Sequence, residues 1–390
     1  MIKNYRTRLV ADLEDIGRAQ WDALLAGDPD ANSFLRFDFL QALHASGAAS
    51  AASGWTPRYL TLWQGGALAG AVPLYEKTHS YGEYVFDWAW AEAYQRYGLA
   101  YYPKWLAAVP FTPVEGSRLI ARDSRARERL ADELLAHARA SGDSSLHVLL
   151  APAAQIELLA RRGMLVRHGV QFHWRNSGYA SFDAFLGALA QPKRKKIRAE
   201  RRKVADAGVV LERRVGAAIT ERDWSFFFRC YQATYAAHFS SPYLNLDFFQ
   251  RLGARLPEHV VMVLASRAGR KIGASLAVFD ERGLRGRYWG CLDDVPCLHF
   301  ECCYYQMIEF AIERRLPVFE GGAQGAHKLA RGLDPVTTMS AHWLAPPAMH
   351  DAVARFLARE TSAIAEAADE LAEHRAYRQF RAASDSSPSL

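Results

Sequence analysis

Residues 58–78 read RYLTLWQGGALAGAVPLYEKT and residues 261–281 read VMVLASRAGRKIGASLAVFDE. With Gly70 set against Gly273, the two stretches align at an offset of 203 residues. Each is an apolar run, a turn containing glycine (Gln64-Gly65-Gly66 in one, Arg267-Ala268-Gly269 in the other) and a second apolar run. Two apolar runs joined by so short a turn predict a β-hairpin. A further strand is predicted after each hairpin, over residues 84–88 and 287–291. A second echo follows, Phe172-His173-Trp174 matching Ala341-His342-Trp343 at an offset of 169. The second copy is therefore 203 − 169 = 34 residues shorter between these landmarks.

Each copy also holds a helix and a strand. Residues 124–141 place Leu130, Leu134 and Leu135 at helical spacing, and Gly142 supplies the stop. The apolar run 146–151 then reads as a buried strand. Residues 302–315 place Tyr304, Met307, Ile308 and Ile312 at the same spacing, before a short strand at 318–320. The chain thus reads as one α/β (α+β) unit made twice. Its 390 residues divide into domains at 1–178 and 179–378, and the serine-rich tail 379–390 is expected to be disordered.

The net charge of +6 is concentrated. Residues 193–203 hold eight basic side chains and one acidic one, net +7, so the rest of the chain sums to −1. Pro192 suits a first helical turn and Gly208 suits a C-terminal cap, which predicts a helix over 192–207 at the start of the second domain. Ile197 and Val204, seven apart, give it one narrow apolar seam. Lys193, Lys195, Lys196, Arg198, Arg201 and Arg202 are the side chains that would meet an anion. A nucleic-acid phosphate backbone, anionic headgroups, or water alone could face them. No apolar run is long enough to span a membrane, and no apolar core follows the first charges as in a signal peptide. Five cysteines, odd in number and confined to the second half, point to a reducing cytoplasm. His299 and Glu301 beside Cys297 and Cys302 have the wrong order for a zinc deaminase, and no metal site is expected.

Four strings carry a family resemblance: HSYGEYVFDWAWAEAY (79–94), YGLAYYPKWLAAVPFTPVEGSRL (97–119), HFECCYYQMIEFAIERR (299–315) and FEGGAQGAHKLARGLDPV (319–336). Together they resemble the FemAB-like group of the GNAT acyltransferase superfamily, often labelled peptidoglycan biosynthesis or recognition. The resemblance implies two tandem GNAT-like domains, each a mixed central sheet flanked by helices. It also implies transfer of an acyl or aminoacyl group to an amine on a small molecule or peptide. No tightly bound cofactor is implied; the co-substrate would be aminoacyl-tRNA or acyl-CoA, with tRNA as a partner. Coenzyme A users of this superfamily hold the pyrophosphate on a glycine-rich loop. Here the first copy offers Pro113 and Glu115 at that place, and the second offers Asp293 and Asp294 without a glycine. That favours aminoacyl-tRNA over acyl-CoA.

Acyl transfer to an amine needs a base, donors for an oxyanion and a pocket that aligns two substrates. Glu301, Glu320, His299 and His327 are the candidate acids and bases. Trp289, Tyr304, Tyr305, Gly321, Gly322, Gln324, Gly325 and Lys328 are candidate substrate contacts. In the first copy, Asp87, Trp88, Arg96 and Tyr97 belong to an aromatic and charged stretch that could line an acceptor groove.

Overall fold

The computed structural model describes residues 5–322, 325–373 and 376–377. The hairpins stand where the repeat predicts them, Tyr59–Gln64 with Ala67–Val72 and Val260–Arg267 with Arg270–Asp280. Leu62 faces Gly70 and Ala265 faces Gly273, and in both hairpins the register slips at the next residue of the first strand. The 203-residue offset thus extends to a β-bulge. One residue makes the copies differ. Pro73 has no N–H for a ladder, so the strand ending at Val72 stops and the chain resumes as Leu74–Lys77 in another sheet. Its counterpart Arg270–Asp280 runs unbroken for eleven residues.

Arg6–Val10, Tyr59–Gln64, Ala67–Val72 and Ile120–Ala121 form a small sheet. Eleven other described strands form one sheet. At its centre the halves exchange their last strands. Leu165–Arg175, from the first half, pairs with Val318–Glu320 of the second. Asp334–Leu344, from the second half, pairs with Ser145–Val148 of the first. The two exchanged strands also pair with each other, from Asp334 opposite His173 to His342 opposite Leu165. Trp174 and His342 are buried there. An apolar core also crosses between the halves, with Phe39 edge-on to Phe248 and Phe111 stacked on Tyr243.

Helix Ser124–Ser141 starts at Asp123, whose carboxylate accepts the Ala126 N–H at 2.7 Å, and stops at Gly142 with φ 79°. The basic helix spans Gln191–Asp206 and buries Ile197, Val204 and also Glu200. The strand predicted at 287–291 lies within Gly283–Cys291. Residues 84–88, by contrast, form no strand: Trp88 opens a helix, Trp88–Arg96, and Lys104–Ala107 takes the strand position. The reason is electrostatic. Glu83 and Asp87 both turn inward onto the buried Lys104 ammonium, and a flat strand cannot aim both at one point. The 379–390 tail lies outside the described residues.

Each half completes the other's sheet, so residues 1–178 alone would expose the edge of Ser145–Val148. We expect that fragment to be insoluble or to unfold without a cooperative transition, and co-expression with 179–390 to restore both. Circular dichroism melts of the fragment and the reassembled pair check this.

Candidate active site

Strand Gly283–Cys291 and strand Val318–Glu320 are parallel, but only Leu284–Phe319 and Arg285–Glu320 pair. Beyond those pairs the strands part. The gap holds a cavity of about 180 Å³ lined by Gly286–Trp289, His299, Cys303, Tyr304, Met307, Gly321 and Gly322. Tyr84 and Pro113 of the first half close its other side. The helical run from Leu298 to Glu313 widens to π pitch over Glu301–Tyr305. Such a bulge changes which side chains share a face. Cys303 and Tyr304 reach the cavity, while Glu301 and Tyr305 do not. Gly321 is held close: a Cβ there would stand 2.5 Å from Leu333.

Aromatic rings gather at one side, from buried Tyr304 to exposed His327. His299 lies 5.6 Å from Trp289 and 5.5 Å from Tyr304 between ring centroids, and Tyr304 Oη is 3.1 Å from His327 Nε2. Burial, then His327 and Arg331, pushes His299 down to about 4. Burial, then Arg331, lowers His327 as well. Both imidazoles are neutral at pH 7. Lys328 is 2% exposed, and its Nζ donates to the Gly322 carbonyl at 2.8 Å. Burial pushes this lysine down to about 8.

Glu320 Oε1 accepts from Arg285 Nε at 3.1 Å, and Arg285 Nη1 donates to Asp280 at 2.7 Å. The other oxygen of Glu320 is buried without a hydrogen-bond partner. Across the join sits Glu115 of the first half. Burial, then the Glu320 carboxylate, pushes Glu115 up to about 7.

The structure divides the sequence candidates. Trp289, His299, Tyr304, Gly321 and Gly322 line the cavity; Glu320, His327 and Lys328 adjoin it. Gly325 opens the turn that carries His327 and Lys328, and Gln324 lies outside the described residues. Glu301 faces the basic helix, where Arg201 grips it at 3.0 and 3.1 Å. Tyr305 points to Glu200 and Arg331. Asp87 is buried against Lys104, whereas Trp88, Arg96 and Tyr97 stand on the surface, Tyr97 75% exposed. These four do not form one groove with the cavity. On the basic helix, Arg201 is spent inward and Arg198 pairs with Asp183 at 3.3 Å. Lys193, Lys195, Lys196 and Arg202 have no carboxylate partner among the described residues. Asp293, between strand Gly283–Cys291 and the helical run from Leu298, is held by Arg267 and Arg270. No group of side chains able to hold a metal occurs among the described residues.

The first half has the same junction, filled. His342 and His173 correspond at the 169-residue offset; His342 faces His147 and His173 faces Glu320. Two residues further on, Leu149 therefore matches Gly322. Arg118 Nε donates to the Leu149 carbonyl at 2.8 Å, just as Lys328 Nζ does to Gly322. The rest of the Arg118 guanidinium caps Val114, Gly116 and Ser117 carbonyls. Arginine with its loop plugs one gap; lysine, arriving from the far side, leaves the other open.

The FemAB-like family model, described as peptidoglycan biosynthesis/recognition, matches residues 12–379. Among solved structures, the crystal structure of FemX is similar with a TM-score of 0.55 at 10% identity, over 87% of this chain and 97% of that one. The structure of L-PGS from Bacillus licheniformis gives 0.53 at 10% identity, over 89% and 97%. A tandem GNAT protein from the clavulanic acid biosynthesis pathway gives 0.46 at 13% identity, over 88% and 99%. No curated protein matches. The likeness to FemX and to L-PGS shows a shared mixed α/β fold over most of the chain.

Lys328 costs stability where it stands. Its folded pKa, about 8, lies below the ordinary 10.5, so the burial cost is full below pH 8 and fades as pH rises to 10.5. Wild-type stability should therefore gain from rising pH in that window. Lys328→Met should be more stable than wild type near pH 7 by about 1–3 kcal/mol and should lack that gain. Urea unfolding at several pH values measures both; a variant less stable than wild type at pH 7 would contradict the assignment.

Proposed function

This chain belongs to the FemAB-like family, and we propose that it is an N-acyltransferase that forms an amide or peptide bond, with aminoacyl-tRNA as donor and an amine of a small molecule or peptide as acceptor. One observation carries the reading: the second half keeps an open gap, edged by a buried cation and a carboxyl pair, where the first half is plugged by Arg118. That supports a single reaction centre, walled on one side by Tyr84 and Pro113 of the first half.

The residues divide the work. The acceptor amine must lose a proton as it attacks the acyl carbonyl. Glu115, pushed up to about 7 by burial and by the Glu320 charge, accepts it. The carbonyl oxygen becomes an oxyanion, which the Lys328 ammonium at the cavity edge can neutralise. As the oxyanion collapses, the ester bond to the tRNA ribose breaks, and the proton taken from the amine passes to the departing hydroxyl. Trp289 and Tyr304 supply ring faces against the substrate, and neutral His299 and His327 supply hydrogen-bonding nitrogens without adding charge.

The donor is argued from charge. Lys193, Lys195, Lys196 and Arg202 form an outer face that can neutralise several phosphates. At the place of a pyrophosphate loop the chain has no glycine, and Asp294 adds a negative charge; Asp293 there is spent on Arg267 and Arg270.

Bulk tRNA should bind with an affinity that falls steeply with salt, and reversing Lys195, Lys196, Arg198 and Arg202 to glutamate should abolish binding. Filter binding across a salt series checks it. Tight one-to-one binding of acetyl-CoA by calorimetry, with none of tRNA, would replace the donor. The rate should trace a bell, rising through about pH 7 as Glu115 ionises and falling through about 8 as Lys328 loses its proton. Glu115→Gln should remove the acid limb and lower kcat about 10²–10⁴-fold; an unchanged profile would exclude Glu115 as base.

A further inference from the structure

We propose that Arg331 is the positioning residue of this site and that Glu200, the single acid of the basic run, holds it there. The inference takes from the transferase reading only the role of Lys328; where Lys328 sits is geometry. Arg331 is 2% exposed and uses every nitrogen of its guanidinium. Nη2 donates to both oxygens of Glu200 at 2.8 and 2.9 Å. Nε donates to the Tyr305 hydroxyl at 3.1 Å, and that hydroxyl in turn donates to Glu200. Nη1 donates to the His327 carbonyl at 2.7 Å. The guanidinium lies 3.5 Å from the centroid of the Phe300 ring.

The His327 carbonyl is the point of leverage. His327 and Lys328 share the short turn Ala326–Arg331. Arg331 thus grips its own turn from inside, one residue before the lysine whose Nζ reaches Gly322. Three partners at fixed angles need a planar fork; an ammonium can satisfy only part of the set. The basic helix therefore has two distinct attachments. Arg201 fastens it to Glu301 and Glu309 of the neighbouring helix. Glu200 fastens it, through Arg331, to the turn beside the cavity. Only the second should govern how dry Lys328 is kept, and dryness is what sets its proton affinity.

The test reads Lys328 directly. Wild type, Glu200→Gln, Arg331→Lys and the control Glu309→Gln are treated with acetic anhydride across a pH series, and acetylation of the Lys328 peptide is quantified by mass spectrometry. Wild type and Glu309→Gln should give a midpoint near 8. Glu200→Gln and Arg331→Lys should raise it to about 9 or above. Glu200→Gln strands a buried arginine and could fail to fold; Arg331→Lys keeps the charge opposite Glu200 and then decides alone. A midpoint unmoved in cooperatively folded Arg331→Lys, or moved equally in Glu309→Gln, overturns the proposal. Transfer assays separate the two readings. A wild type inactive with every donor, but with the shifts as expected, sinks the transferase reading and leaves this one standing. An active wild type whose variants keep the wild-type midpoint sinks this one alone.

Discussion

Nine residue pairs between Leu165–Arg175 and Asp334–Leu344 make two repeats into one sheet. Everything at the site depends on them. Val318–Glu320 is three residues long and pairs with Gly283–Cys291 only twice. Its direction is set on the other side, by the first half's strand through Arg175, Trp174 and His173. The gap that opens after Glu320 is therefore shaped by a strand belonging to the other repeat. The same exchange brings Glu115 beside Glu320 and Pro113 to the cavity wall; Gln171 on the exchanged strand donates to the Pro113 carbonyl at 2.9 Å.

Around this seam the protein buries far more charge than a stable core needs. Lys104 is shared by Glu83 and Asp87 in the first half, with His147 and His342 touching at 2.8 Å between Nδ1 atoms. In that contact one imidazole donates and the other accepts, so both cannot be charged. Burial pushes His147 down to about 3 and Glu83 up to about 7. Burial also presses Asp87 upward, but Lys104 and His147 outweigh it and hold that carboxyl low. Such groups cost more to separate than they return when paired, so they bind the loop 79–103 to one conformation. That fixed loop is also why the strand pattern at 84–88 misleads: alternating aromatic and acidic residues mimic a half-buried strand, while the carboxylates are committed to a single lysine.

Duplication followed by divergence is visible at one carbonyl. The repeats keep a buried cation on Leu149 and on Gly322, yet the residue type and its point of origin differ. Arg118 belongs to the loop that the sequence already marks as unfit for a pyrophosphate. Its guanidinium satisfies four carbonyls and leaves no room. Lys328 satisfies one. A hairpin offset of 203 is legible in a string of letters; the equivalence of Arg118 with Lys328 is not, because the two occupy unrelated positions in their repeats.

Local patterns were sufficient wherever the physics is local. The hairpins, the capped helix Ser124–Ser141 and the Ile197–Val204 seam follow from turn chemistry, caps and periodicity, which act within a few residues. The cluster Trp289, His299, Tyr304, Gly321 and Gly322 was also readable, since the ends of adjacent strands in one repeat must lie together. Tertiary structure alone decided the rest. The π-pitched turn sends Glu301 to Arg201 rather than to the cavity. Glu200, a lone acid in a basic run, becomes a buried anchor only because Arg331 arrives 131 residues later. Glu115 and Pro113 join the site only because the halves exchange strands. Hydrogen bonds and desolvation act across space, and no sequence separation records which distant partner will fill them.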